Sequence, residues 1–148
     1  TFAAGRIAFE GRLAPAALGR FLALRLEEPS AAMDALAADC VRAFDPFRAP
    51  LSAFDLARRR KSPLSPEQDA RLVEWGYPYI FDDFRFHMTL TGKVADGQVF
   101  ARILSKLPDM FPAHTHRFEA ITVFKQDSRS EPFRNISRAS FAATTVSP

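Results

Sequence analysis

The chain has 148 residues, a mass of 16.5 kDa and a formal net charge of +3, with a sequence pI near 9.4. That length suits one domain or two closely joined lobes, and it buries roughly two-thirds of the unfolded surface, enough for a real core. A composition 47% hydrophobic and 25% charged, with Cys40 as its one cysteine and no apolar run near the ~20 residues of a bilayer span, excludes disorder, collagen, coiled coil, a membrane-spanning helix, a disulfide framework and a Cys-rich zinc site.

The first predicted element is Phe21–Leu26, apolar on both faces apart from Arg25 and therefore a central strand. Glu28-Pro29-Ser30 ends it and supplies an N-cap. Apolar residues then fall at Met33, Leu36, Ala37, Cys40, Val41 and Phe44, which predicts a helix with one face inward. Pro46 and Pro50 enclose a connector. Ser52-Ala53-Phe54-Asp55 reads as a capping box opening a helix to about Arg60. Ser65-Pro66-Glu67-Gln68 sets an N-cap, a proline at the first helical position and Gln at the third, and Gly76 stops that helix.

Phe84 to Thr91 alternates strictly, with Phe84, Phe86, Met88 and Leu90 on one face and Arg85, His87, Thr89 and Thr91 on the other. A helix from about Asp96 to Leu107, ended by Pro108, follows. Two strands near Arg117–Lys125 and Phe133–Phe141 close the chain, the first with a phase switch between Phe118/Ala120 and Ile121/Val123 that predicts a bulge or two-sided burial. The tail from Ala142 reads as loose. Fifteen Phe against one Trp and two Tyr suggest a core filled with Phe. Strands and helices mix without strict alternation, so the expected class is α+β with a largely antiparallel sheet.

There are 16 Arg and 4 Lys. Arg offers a planar fork for phosphate or carboxylate, although an Ala- and Arg-rich chain equally reflects base composition. The run Arg58-Arg59-Arg60-Lys61 fits a solvated helix end complementing the dipole, or a contact to nucleic acid or membrane.

His87 and Thr89 are the central catalytic candidates. At i and i+2 on a strand, both side chains leave the same face. An imidazole there can move a proton near neutral pH, while the hydroxyl donates to a phosphoryl oxygen. Arg85 shares the face and can neutralise phosphate charge. A surface-facing His on an ordinary strand gives the same pattern. Tyr77 and Tyr79 flank Pro78 just upstream and fit either groove-rim stacking or a rigid, partly buried loop. With Arg85 and Thr91 they form the expected substrate-binding set.

The stretch Trp75-Gly76-Tyr77-Pro78-Tyr79 through Phe84-Arg85-Phe86-His87-Met88-Thr89-Leu90-Thr91-Gly92, with Asp45-Pro46-Phe47-Arg48-Ala49-Pro50-Leu51 before it, resembles the two-histidine (2H) phosphoesterase superfamily. More narrowly, it is similar to the subfamily encoded beside phosphonate-metabolism genes. The resemblance spans about Phe21 to Gly92. It implies a bilobal α+β fold in which each lobe offers one His-x-Thr/Ser motif to a central groove. One His acts as general base and the other as general acid, the hydroxyls hold the phosphate, and neither metal nor other cofactor is needed. It implies a small cyclic phosphate or phosphodiester as substrate, and it carries over His87 and Thr89.

The 148 residues hold one such motif, and the chain opens on Thr1. The expectation is thus a single domain over residues 1–148 forming the C-terminal major part of the bilobal fold, with the N-terminal part missing. The lack of a signal-peptide pattern leads to a cytoplasmic expectation. The alternative is a non-catalytic phosphate-, nucleotide- or RNA-binding module on the same fold, in which Arg85, Thr89 and the tyrosines bind.

His114 and His116 alternate and fit a loop entering a strand better than a metal site, because no third ligand is near. Cys40 reads as a small buried hydrophobe. Arg134 and Arg138 fit a phosphate groove or the wet side of an exposed strand. The chain has no Gly-rich phosphate loop, Gly-x-Ser-x-Gly or His-Glu-x-x-His.

Overall fold

The computed structural model describes residues 2–128 and 130–142. In chain order the elements are β1 (Phe9–Leu18), β2 (Phe21–Leu26), α1 (Ala31–Phe44), α2 (Ala53–Arg59), α3 (Pro66–Trp75), β3 (His87–Thr89), α4 (Gly97–Met110), β4 (His114–Phe118), β5 (Ala120–Lys125) and β6 (Arg134–Ser140), with single 3-10 turns at Asp45–Phe47 and Phe81–Asp83. The class is α+β, as the mixed sequence pattern predicts. The chain divides into two compact units, Thr1–Glu28 with Thr89–Pro148 and Pro29–Met88.

The first unit is built on a sheet in which β1 lies between β2 and β4. β1 runs antiparallel to β2 from Leu13↔Leu26 to Leu18↔Phe21, and antiparallel to β4 from Phe9↔Phe118 to Leu13↔His114. Sequence pattern does not predict β1, because Gly11, Ala14, Pro15, Ala16 and Ala17 are poor strand formers. Pro15 is tolerated for a positional reason. The Arg12 carbonyl accepts from Glu27 N–H at the β2 side (2.9 Å), so odd-numbered residues turn their amides toward β4, and β4 ends opposite Leu13. The amide that proline lacks would have met no strand. At Gly11 any Cβ would lie 2.4 Å from Leu26 Cδ2, so the glycine permits a close approach.

α4 packs against β1. The buried side chains of this unit are Ala3, Leu13, Leu22, Ala23, Leu24, Leu107 and Phe141. The expected Phe core is therefore replaced by a leucine one: Phe47, Phe54, Phe124 and Phe133 are exposed. α4 starts as expected, with the Asp96 carboxylate accepting from the Gln98 and Val99 amides (2.7 and 3.0 Å). It does not end at Pro108 but continues to Met110. Proline in a last turn removes one amide bond, and Phe111 N–H still reaches the Leu107 carbonyl (2.7 Å).

The phase switch expected within one strand is a break between two. Glu119 separates β4, in the first sheet, from β5, which pairs antiparallel with β6 in a second sheet. An irregularity lies further on, between Val123 and Phe124. His114 and His116 stand in β4 and not in a loop. Ala142 makes a parallel bridge with Ile7, and the rest of the expected tail, 143–148, lies outside the described residues.

In the second unit, local chemistry and observed structure agree closely. Ser30 Oγ accepts from Met33 N–H at the start of α1 (3.3 Å). Ser65 and Gln68 form a reciprocal capping box on α3 (3.2 and 3.1 Å). The Ser52 box is half made, since the Ser52 hydroxyl donates to the Asp55 carboxylate (2.8 Å) while accepting the Asp55 amide (3.1 Å). Gly76 closes α3 at φ +80°, in the left-handed region.

Arg48 lies across that glycine, donating from Nε to Asp45 Oδ1 (2.7 Å) and from Nη2 to the Glu74 carbonyl (3.0 Å). The Asp45-Pro46-Phe47-Arg48 motif therefore fastens the C-terminal end of α3. Arg60 joins the end of α2 to α3 through both oxygens of Asp69 (2.7 and 2.8 Å). Hydrogen bonding from Arg60 holds the Asp69 carboxyl below its ordinary range. Met33, Leu72, Pro78 and Ile80 are buried apolar groups of this unit.

Candidate active site

Of the eight alternating residues Phe84–Thr91, only His87–Thr89 is strand. Upstream, Phe81–Asp83 coils into a 3-10 turn and Arg85 bends back on its own backbone, Nη1 donating to the Asp82 and Phe84 carbonyls (2.7 and 2.6 Å). Alternation makes a strand only where a neighbour completes the ladder. That occurs downstream, where Leu90 N–H and Thr91 N–H both reach the Leu22 carbonyl (2.8 and 3.3 Å). The expected apolar face is also incompletely covered, because Met88 is 47% exposed.

His87 and Thr89 are both exposed and stand two apart on the strand, so their side chains leave the same face. His87 Nδ1 lies 2.8 Å from the Arg85 carbonyl oxygen. A carbonyl only accepts, so Nδ1 carries the proton and the neutral ring keeps its lone pair on Nε2. The basic nitrogen is thereby set at the tip of the ring. A hydroxyl donor follows two residues later.

The remaining expected residues are placed as follows. Thr91 is half-buried and its hydroxyl oxygen accepts the Leu22 N–H (3.1 Å), tying the segment after β3 to β2. Arg85, with Asp34, Arg42, Phe81 and Asp82, lines a cleft of about 290 Å³. Phe81 holds φ +55°, unusual for a bulky residue. The Trp75 ring meets it edge-on at 5.4 Å and the Arg42 guanidinium lies 5.0 Å from its centroid. Neither Arg42 nor the strain at Phe81 is signalled by sequence, since both depend on how α1 meets the turn.

Tyr77 and Tyr79 meet edge-to-face at 5.7 Å and line a second cleft, with the intervening Pro78 buried. The His114 and His116 rings are 6.4 Å apart, and the latter packs on Phe118 at 4.9 Å. Among the described residues, no three His, Cys, Asp or Glu side chains gather as metal ligands would. Cys40 is half-buried on α1. Arg134 and Arg138, on the exposed β6, pair with Asp127 and Glu119. No helix among the described residues is long and apolar enough to cross a membrane.

The chain belongs to the family described as "Protein of unknown function (DUF1045)", which it matches over residues 1–134. It is similar to two proteins named "Ribose 1,5-bisphosphate phosphokinase PhnN". The one from Janthinobacterium sp. (strain Marseille) is 37% identical over 128 residues, covering 82% of this chain and 28% of that protein. The one from Laribacter hongkongensis (strain HLHK9) is 29% identical over 126 residues, again 82% of this chain and 28% of that protein. The chain thus spans under a third of the length of these relatives. No solved structure matches it.

Proposed function

We propose that this chain carries one acid–base half of a metal-independent phosphoesterase acting on a small cyclic phosphate or phosphodiester, within the bilobal two-histidine fold. The observation that carries the reading is the bond between His87 Nδ1 and the Arg85 carbonyl (2.8 Å), which leaves Nε2 as the proton-transferring atom above a strand that also presents Thr89.

In hydrolysis, water oxygen attacks phosphorus and the bond from phosphorus to the leaving oxygen breaks. The proton lost by water goes to a base, and one reaches the leaving oxygen from an acid. His87 Nε2 serves one of these two transfers. The Thr89 hydroxyl donates to a non-bridging oxygen, whose charge grows in the transition state. The second transfer needs another group on the far side of phosphorus. These residues hold one His-x-Thr, so the partner motif comes from outside them.

The relatives' name places a phosphorylated ribose among the compounds those proteins handle, and the resemblance of Trp75–Gly92 links the chain to phosphonate metabolism. Both favour a ribosyl phosphate ester as substrate. The kinase activity in that name is not transferred here. The matched segment is 28% of each relative, and this chain has no Gly-x-x-x-x-Gly-Lys-Ser/Thr loop.

The test is turnover of 2′,3′-cyclic nucleotides and ribose cyclic phosphates by the complete natural polypeptide, with and without chelator. His87→Ala is expected to lower turnover by ~10²–10⁴ with the melting temperature unchanged. Full activity in that variant, or loss of wild-type activity on chelation, refutes the mechanism.

A further inference from the structure

The basic run and the Tyr-Pro-Tyr turn play no part in the chemistry assigned to His87, yet within the Pro29–Met88 unit they meet. Arg58 and Arg59 from the last turn of α2, with Ser62 just beyond, face Tyr77, Pro78 and Tyr79 across a cleft of about 250 Å³. Among the described residues, no carboxylate lines it.

The cations of the run are unequally satisfied. Arg58 pairs with Asp55 (3.1 Å) and Arg60 with Asp69 (2.7 Å), whereas Arg59 has no carboxylate partner among the described residues. Its guanidinium carbon lies 4.9 Å from the Tyr77 ring centroid, and its Nε is buried without a hydrogen-bond acceptor. A charged donor stripped of water and given no acceptor in return costs free energy. An anion brought to the same guanidinium offsets that cost through its remaining N–H groups. Helix-end charge alone explains why cations stand here, but not why one lays a buried Nε beside an aromatic ring.

Tyr79 supplies the other half of the recognition. It is 41% exposed, with Tyr77 set edge-to-face against it and buried Pro78 stiffening the turn between them. An exposed ring in the same cleft as Arg58 and Arg59 suits a ligand that carries both a planar face and an anionic group. We propose that this cleft binds a nucleoside monophosphate, its base stacked on Tyr79 and its phosphate held by Arg59 and Arg58. A volume of about 250 Å³ suits one nucleotide rather than the several that a strand-binding groove tracks. It lies below the usual volume of fully enclosing ligand pockets, so part of the ligand stays in water. The site does not depend on the catalytic reading of His87.

Calorimetric titration of the full chain with AMP, ribose 5-phosphate and inorganic phosphate tests this. AMP is expected to bind about tenfold or more tightly than either of the others, the margin that one aromatic–base stack supplies. Tyr79→Leu should bring AMP down to the affinity of ribose 5-phosphate, Tyr79→Phe should retain it, and Arg59→Gln should weaken all three ligands. The effects of Tyr79→Leu and Arg59→Gln on AMP should persist in a His87→Ala background, so failure of the phosphoesterase reading and failure of this one are read separately. Three results overturn the proposal: equal affinity for AMP and phosphate, indifference of AMP to Tyr79→Leu in a protein whose circular dichroism is intact, or a single-stranded RNA oligomer binding far more tightly than AMP with a steep salt dependence.

Discussion

Replacing Gly76 with Ala tests whether the end of α3 is held as described. The residue sits at φ +80°, so an alanine there bears roughly 1–2 kcal/mol of left-handed backbone strain. The new Cβ would also lie 2.9 Å from Arg48 Nη1 and 3.0 Å from Arg48 Cδ. Arg48 must then move, giving up its bonds to Asp45 and the Glu74 carbonyl. Those groups are partly exposed, so their loss is about 1 kcal/mol or less. The sum is a destabilisation of about 2–3 kcal/mol, of which the larger part is backbone strain.

Trp75, the one tryptophan of the chain, immediately precedes the glycine, and its fluorescence follows urea unfolding of this unit directly. In an Arg48→Ala background the steric component disappears, and Gly76→Ala should cost only the ~1–2 kcal/mol of strain. A single-variant cost under about 0.5 kcal/mol, the level of an ordinary surface change, refutes the account. So does an unchanged cost in the Arg48→Ala background.

Three further outcomes follow from particular groups. Leu22 is wholly buried in the first unit, so Leu22→Ala should cost about 2–5 kcal/mol, read by far-ultraviolet circular dichroism in urea. Thr89→Val should lower phosphoesterase turnover about tenfold or more while Thr89→Ser retains it, because a hydrogen bond to a charged group is worth ~1.5–3 kcal/mol. Equal loss in both variants would assign Thr89 a packing role. Asp69 has its folded-state pKa lowered by hydrogen bonding from Arg60, so the ionised form is favoured in the fold. Its stabilising contribution is therefore present above the ordinary Asp value of about 3.9 and fades as pH falls below it. Asp69→Asn should flatten the acid side of the stability profile, leaving the slope above that value unaltered.

How much could be read beforehand divides along physical lines. The starts of α1 and α3 are written in Ser30, Ser65 and Gln68, and the end of α3 in Gly76, because a cap is a bond between neighbours. The strand β1 is not, since Gly11 and Pro15 make sense only once Leu26 and the end of β4 are in place. The alternation of Phe84–Thr91 overstates β3 for a similar reason: pattern records which face is apolar, not whether a neighbouring backbone is there to pair. The His-x-Thr spacing is legible because it is local to one strand. That Arg85 folds back onto the Asp82 and Phe84 carbonyls, that Thr91 serves Leu22, and that Arg59 buries its Nε beside Tyr77 are outcomes of packing.

The main-chain oxygen beneath His87 has a consequence for proton traffic. An oxygen that can never donate keeps hold of the same ring N–H whether the imidazole is neutral or cationic. Picking up a proton on the outer nitrogen and giving it away again then requires no tautomer exchange and no ring flip. In the phosphoesterase reading proposed above, one fixed orientation would then serve both directions of transfer, with no rearrangement between turnovers.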